Sequence, residues 1–242
     1  MSVEISVIVP VLNEEKLLPA FLEQFPGDLL ERFSMEILVS DGGSSDRTRE
    51  IAGEYTGVHV VDASGTRTIS HGRNAGAARA GGAILVFLNA DVRLSDPVRF
   101  FNEIKTGLIR PGVAAMTARV HVFPEEERLI DRLFHIVHNA YCRLLNAIGE
   151  GMGRGECQVL KADMFREVGG YNDTMAAGED FDLFRRVRKH GTIRFIPAVT
   201  VYESPRRFRK YGYLRIVRDW TQNALSVMIK NKSSSKSWDP VR

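Results

Sequence analysis

Ile5-Ser6-Val7-Ile8-Val9-Pro10-Val11-Leu12-Asn13-Glu14-Glu15 begins as an apolar, β-branched run and ends in a polar cluster. The same junction recurs twice. Met35 to Ser40 runs into Asp41-Gly42-Gly43-Ser44-Ser45-Asp46, and Ile84 to Leu88 runs into Asn89-Ala90-Asp91. A fourth apolar run covers Val58 to Val61, and helical patterns occupy Glu14 to Phe25, Asp46 to Tyr55 and Ser70 to Ala80. Strands alternating with helices predict βαβ units around a mostly parallel central sheet flanked by helices, an α/β fold. In open sheets of this kind ligands bind beyond the carboxyl ends of the strands, so the three polar clusters should gather at one edge.

The pattern changes after Asp96-Pro97. A helix is expected near Val98 to Thr106, a strand near Val113 to Val122, and then a long amphipathic stretch from Glu125 to Ile148. Its apolar residues Leu129, Leu133, Phe134, Val137, Tyr141, Leu144, Leu145 and Ile148 recur at helical spacing, which predicts packing on the protein's own core. Ile130 and Ile136 fall off the main stripe and leave a dimer or membrane contact open. A glycine-rich break at Gly149 to Gly155 follows, then a strand-helix segment to Val168, a Gly169-Gly170 turn, a helix from Gly178 to His190, and short strands at Ile193 to Ile196 and Val199 to Tyr202. A basic helix over Arg206 to Ile229 and a Ser/Lys tail from Asn231, expected to be disordered, close the chain.

With 44% hydrophobic and 26% charged residues among 242, the composition excludes disordered, collagen-like and disulfide-scaffold classes. No run of apolar residues is long enough for a membrane span and no secretory leader is visible, so a cytoplasmic protein is expected. Cys142 and Cys157 lack metal-site spacing and read as reduced core thiols. The net charge of +3 is uneven: ten Lys/Arg and two Asp/Glu lie between Ser204 and Arg242, so this segment carries +8 and the rest −5. Nucleic acid, an anionic membrane surface or a phosphorylated substrate could each answer that charge, as could solvent alone.

Neither a GxxxxGK[ST] loop nor a GxGxxG between strand and helix is present, which argues against P-loop and dinucleotide-fold readings. Asp41-Gly42-Gly43 reads as a turn with a helix N-cap at Ser44, Ser45 or Asp46, although a carboxylate directly after a strand could also receive hydrogen bonds from a base or ribose. Asn89 and Asp91 stand at i and i+2, on one side of an extended chain, where they could face a single ligand. A hard divalent cation holding a diphosphate needs only one or two protein carboxylates, and Asp91 is the charged one. Gly178-Glu179-Asp180-Phe181-Asp182 opens a helix with three acids; Arg186 explains Asp182 as an i,i+4 pair and leaves Glu179 and Asp180 without a structural task.

Taken in order and spacing, ISVIVPVLN (Ile5 to Asn13), VSDGGSSDRT (Val39 to Thr48), Arg73-Asn74-Ala75-Gly76, FLNAD (Phe87 to Asp91), VGGYN (Val168 to Asn172) and GEDFDLFRR (Gly178 to Arg186) resemble the family 2 glycosyltransferases. The resemblance implies a GT-A fold that binds a nucleotide-diphosphate sugar and transfers one sugar with inversion. By position it places Pro10, Asn13 and Glu14 at the nucleotide, Asp41 at the base, Arg73 near the diphosphate, Asp91 as metal ligand and Asp180 as catalytic base, with Glu179 beside it. The expected organisation is a catalytic domain over residues 1–203, its halves meeting near residue 96 with the acceptor side second, then a basic amphipathic segment over 204–230 and the tail 231–242. Two features depart from the family pattern: Asn89 replaces the first Asp of the DxD-type motif, and the QxxRW motif of processive members is absent, which implies single-sugar transfer.

The chemistry asks for the same residue types. An acceptor hydroxyl needs one base, and a diphosphate leaving group needs positive charge. Asp180 can supply the first; Asp91 with Mg²⁺ or Mn²⁺, Arg73, Arg206 and Arg207 can supply the second. The basic amphipathic end, with its aromatics, suggests a peripheral enzyme meeting a lipid-linked or cell-envelope acceptor at the inner face of an anionic membrane. A helix that closes the catalytic domain with its cations toward the donor is the equal alternative. A sugar-nucleotide-binding protein without turnover is the competing function, and a nucleic-acid-binding module has the least support because no recognition fold accompanies the charge.

Overall fold

The computed structural model of the chain describes residues 2–65, 68–230 and 232–233. Among them, β1 (Ile5–Val11), β2 (Met35–Asp41), β3 (Val58–Asp62), β4 (Ile84–Leu88), β5 (Val92–Leu94), β6 (Val113–Val122), β7 (Cys157–Lys161) and β8 (Thr192–Glu203) form one sheet. The strand order is β3-β2-β1-β4-β7-β6-β8-β5. Strands β1 to β4, β6 and β8 run the same way, while β7 is antiparallel to both its neighbours and β5 is antiparallel to β8. The sheet crosses the sequence boundary near residue 96, and β5, from before it, lies at the far edge.

Alternate residues of each central strand enter different cores, as period-two geometry requires. Val7, Val9, Val86 and Leu88 join Phe100 and Phe101 of α5 (Pro97–Leu108), Phe21 of α1 (Leu18–Leu22) and Phe33 of α2 (Gly27–Phe33). Ile8, Leu38, Leu85 and Phe87 face Phe165 of α7 (Ala162–Glu167), Leu183 and Phe184 of α8 (Glu179–Val187), and the neighbouring helix α4 (Ile69–Arg79). Helix α3 (Thr48–Gly53) packs beside β3.

Several sequence expectations change. The helix over Glu14 to Phe25 is a turn followed by α1, and Pro26, extended, caps a separate α2. The two short strands after residue 192 are one strand, β8, whose register with β6 shifts near Ala198, a residue at φ 51°. The basic helix is two, α9 (Arg206–Tyr211) and α10 (Tyr213–Lys230), parted at Gly212 with φ 74°. Apart from residues 232 and 233, the tail expectation falls outside the described residues.

The largest correction concerns α6 (Leu129–Ala147). Its inward face is Asp131, His135, Asn139 and Cys142, while most of its apolar stripe is exposed: Leu129 74%, Leu133 51%, Val137 68%, Leu144 57% and Ile148 64%. The reason is polar satisfaction. Strand β7 pairs with β6 only from Ala115 to Thr117, so the Val120 backbone lacks a strand partner on that side. Asn139 replaces it, accepting from Val120 N–H at 3.1 Å and donating to its C=O at 3.0 Å. Asp131 is equally committed, accepting from Arg209, from the Tyr213 hydroxyl and from Arg128 N–H. With hydrogen-bonded groups holding α6 to the sheet, its apolar side is left outward.

Candidate functional site

The carboxyl ends of β1, β4 and β8 open into a cavity of about 670 Å³. Its polar half is lined by Pro10 near the end of β1 and Glu14 after it, Arg73 from α4, Asn89 and Asp91 after β4, Arg154, Gly155 and Glu156 from the glycine-rich break, Glu179 and Asp180 at the start of α8, Glu203 at the end of β8, and Arg206 and Arg207 of α9. Nine residues singled out from sequence thus meet in one place: Pro10, Glu14, Arg73, Asn89, Asp91, Glu179, Asp180, Arg206 and Arg207.

Asn13 and Asp41 do not line it. They stitch the loops after β1 and β2 together. Asn13 N–H donates to Ser44 Oγ at 2.8 Å, Ser45 N–H donates to Asn13 Oδ1 at 2.7 Å, and Glu14 N–H donates to Thr48 Oγ1 at 2.8 Å. The Asp41 carboxylate, fully buried, accepts from Gly43 and Ser44 N–H and from Arg49. Its contacts are those of the turn rather than of a residue aimed into the cavity.

Arg73 is only 1% exposed and spends its guanidinium on three elements. It donates to Glu179 Oε1 at 2.9 Å, to Asn89 Oδ1 at 3.1 Å and to Gly155 C=O at 2.7 Å, and its guanidinium lies 5.1 Å from the Tyr171 ring centroid. Sequence put Arg73 beside a diphosphate. The structure shows it holding Glu179, the loop after β4 and the glycine-rich break in mutual register. Asn89 suits this task, because an amide oxygen accepts the guanidinium hydrogen bond without adding another buried charge.

Asp180 is half-buried. Its Oδ1 accepts from Phe181 N–H at 2.8 Å, and Gly155 leaves room beside Oδ2, where a Cβ would lie 3.0 Å away. Burial, reinforced by Glu179, pushes its carboxyl up to about 7 against the pull of Arg73. Asp91 also stands above the ordinary carboxylate range, chiefly through burial, with Glu14 and Glu156 adding repulsion and Arg206 offsetting part of it. Arg206 binds Glu14 with both terminal nitrogens at 3.1 and 2.8 Å and reaches Asp91 Oδ2 at 3.2 Å.

Sequence reasoning missed Arg154, Glu156 and Glu203. Arg154, 2% exposed, pairs with Glu156 at 3.1 Å and Glu203 at 3.3 Å. Burial and Glu156 hold the Glu203 carboxyl well above its usual range. Glu203 had a readable signal, since it ends an apolar strand as Asp41 and Asn89 do. Arg154 and Glu156 had none: the glycines around them, at every second residue from Gly149 to Gly155, match no phosphate-binding fingerprint.

The lining sets six carboxylates against four guanidiniums, so an ionised site lacks two positive charges before any phosphate enters. A divalent cation at Asp91 fits that deficit. Among the described residues no three His, Cys, Asp or Glu side chains form a ligand cluster. One protein carboxylate is within what Mg²⁺ commonly takes when a diphosphate supplies further oxygens.

The other half of the cavity is apolar. From α6 come Phe134, Val137, His138, Tyr141 and Leu145; from α10 come Val217, Trp220, Thr221 and Ala224. Helix α10 is clamped to α8 by Val227 against Phe181 and Met175.

The profile of glycosyl transferase family 2 matches residues 6–169. The chain belongs to this family. It is 28% identical over 235 residues to a 4,4'-diaponeurosporenoate glycosyltransferase of Staphylococcus haemolyticus, covering 90% of this chain and 60% of that protein. Over 144 residues it is 31% identical to a dolichyl-phosphate beta-glucosyltransferase of Trichomonas vaginalis, covering 54% of this chain and 44% of the relative. The chain therefore spans only part of the length of these relatives. A mannosyltransferase of Pyrobaculum calidifontis, solved with GDP-Man and Mn²⁺, aligns with a TM-score of 0.68 at 22% identity, over 93% of this chain and 62% of its own. Glucosyl-3-phosphoglycerate synthase of Mycobacterium tuberculosis, solved with Mn²⁺, UDP and glucosyl-3-phosphoglycerate, aligns at 0.60 and 16% identity, over 93% and 78%. The fold of this family 2 member is GT-A.

Replacing Arg73 by Met in this family 2 member leaves Glu179 buried without its cation, which should cost about 3–5 kcal/mol of stability. Adding Glu179→Leu removes the uncompensated charge and should restore much of that loss. Denaturant midpoints of the single and double variants check both expectations.

Proposed function

We propose that the protein transfers a single sugar from a nucleotide-diphosphate sugar to an acceptor hydroxyl with inversion at the anomeric carbon. The observation carrying this reading is the placement of Asp180 in one cavity with Asp91, Arg206 and Arg207: a carboxyl with raised proton affinity stands in the same chamber as the groups suited to a diphosphate. Asp180 takes the acceptor's hydroxyl proton. The acceptor oxygen bonds to the anomeric carbon as the bond to the diphosphate oxygen breaks on the opposite face, and the nucleoside diphosphate departs with the electron pair. Glu179, held by Arg73, orients the start of α8 and keeps Asp180 basic through its charge. Pro10 and Glu14 border the nucleotide, while Asn13 and Asp41 shape the loops around it.

Asp91 and the donor's diphosphate would hold Mg²⁺ or Mn²⁺, which when bound supplies Lewis-acid stabilisation of the leaving group. Arg206 and Arg207 lie where they can add cationic hydrogen bonds to the same oxygens. Retention of Asp180 and its supporting carboxylates favours turnover over passive sugar-nucleotide binding.

We place the enzyme at the cytoplasmic face of an anionic membrane, acting there on a membrane-held acceptor. Among the described residues no helix is long and apolar enough to cross a membrane. Support for a peripheral position comes from the outward apolar face of α6 and from α10, where Leu214 is 91% and Ile229 76% exposed beside the exposed cations Arg215 and Arg218. The cations nearest the cavity are on α9, so the two alternatives for the basic end divide between two helices.

Asp180→Asn should keep donor affinity in calorimetry and lower transfer on the order of 10²-fold or more. Because the base acts ionised and its folded pKa is raised, kcat/KM should climb with pH through about 7 and then level, and the variant should lose that limb. Near-normal turnover in Asp180→Asn would move the base elsewhere. For the cation, Mn²⁺ should tighten nucleotide-diphosphate binding to the wild type and have little effect on Asp91→Ala; equal binding to wild type with and without EDTA would remove the metal from the reading. Wild-type protein should pellet with phosphatidylglycerol-containing vesicles at low salt, and Leu214→Glu combined with Ile229→Glu should weaken pelleting at unchanged thermal stability.

A further inference from the structure

The apolar half of the cavity has no task in donor binding. Phe134, Val137 and Tyr141 stand at i, i+3 and i+7 on α6; Val217, Trp220 and Ala224 repeat that spacing on α10. One stripe from each helix therefore lines a single cleft, and the cleft is continuous with Asp180. It is open rather than a collapsed core, since Val137 is 68% and Val217 43% exposed.

Its architecture is built. Phe134 lies 6.0 Å from Trp220 and 4.7 Å from Tyr213 between ring centroids, and Arg209 of α9 donates to Asp131 at the start of α6 at 2.7 Å. The ring contacts tie α6 to α10 at one end, the Arg209 contact ties α6 to α9, and the cleft is left between α6 and α10. Polar capacity along it is small. The Thr221 hydroxyl is spent on Val217 C=O at 2.7 Å, the amide of Asn223, which also lines the cavity, donates to Asp219 C=O at 2.9 Å, and burial keeps the His138 imidazole neutral by pulling its pKa down to about 2. No Asp, Glu, Lys or Arg belongs to either stripe. A glycan acceptor would find few hydrogen-bond partners there, whereas an alkyl or isoprenoid-like chain would remove apolar surface from water along its length.

Resting on the transferase reading above, we propose that the acceptor is a hydroxyl-bearing amphiphile whose apolar chain lies in the cleft between α6 and α10, with its hydroxyl delivered to Asp180. Leu133 and Leu144 of the same helix, outside the cavity lining, are exposed as well, so apolar surface flanks the cleft. A membrane-held amphiphile can thus keep the far end of its chain away from water while its hydroxyl reacts. The bonds exchanged are those of the transfer itself: the hydroxyl proton passes to Asp180, the new carbon–oxygen bond forms, and the diphosphate leaves.

The test uses n-alkanols from butanol to dodecanol as probes, read by Trp220 fluorescence in a Trp238→Phe background, alongside calorimetry of a nucleotide sugar with Mn²⁺. Affinity should rise about fourfold per added methylene while the chain remains in the cleft, the factor that ~0.8 kcal/mol per buried methylene gives. Val137→Asp and Val217→Asp, both at solvent-accessible positions, should flatten this dependence at unchanged thermal stability. With donor present, sugar should appear on dodecanol and not on butanol. Affinity independent of chain length, or wild-type dodecanol affinity in both Asp variants, overturns the cleft assignment even if donor binds. Absence of donor binding with an intact chain-length series would instead sink the transferase reading and leave the cleft as an apolar-ligand site.

Discussion

Arg73 is the constraint on which the site depends. A guanidinium almost wholly removed from water demands charged or hydrogen-bonding partners, and it finds them on three separate segments: Glu179 at the start of α8, Asn89 after β4, and the Gly155 carbonyl in the glycine-rich break. Breaking any one contact would leave buried polarity unsatisfied, so the three segments share one arrangement. Asp180 follows Glu179 directly and inherits its position from it. Asp91 lies two residues beyond Asn89 and is fixed in the same way.

This anchoring also sets the electrostatics. Carboxylates crowd one chamber because four arginines partly neutralise them, and burial, with repulsion from neighbouring carboxylates added to it, raises the proton affinity of Asp180, Asp91 and Glu203. The base role proposed for Asp180 requires a group ionised near neutral pH yet avid enough for a hydroxyl proton, and that compromise suits it. The deficit of positive charge in the lining separately disfavours a diphosphate without a cation.

The apolar side of the cavity follows from a different conflict. Strand β6 outruns β7, and the orphaned Val120 backbone calls Asn139 inward; Asp131 goes inward to meet Arg209 and Tyr213. Once the polar residues of α6 face the protein, its hydrophobic residues face out and toward α10. A cleft lined by two apolar stripes is thus a consequence of hydrogen-bond satisfaction in the sheet.

The strands β1 to β4, the helices between them and the gathering of polar clusters at one sheet edge were legible in the sequence, because alternation of apolar runs with helical patterns constrains local structure and topology together. The family motifs picked out seven of the nine singled-out residues that line the cavity, and the basic segment after β8 supplied the other two, Arg206 and Arg207. Tertiary structure alone decided the rest. Arg154 and Glu156 lie in the glycine-rich break and Glu203 at the end of β8, two stretches that meet only in the fold, and the three partners of Arg73 come from separate segments that no local pattern connects. Periodicity identified the apolar stripe of α6 correctly but could not orient it, because a hydrophobic period records which residues share a face, while the direction of that face depends on which hydrogen bonds the neighbouring strand has left unmade.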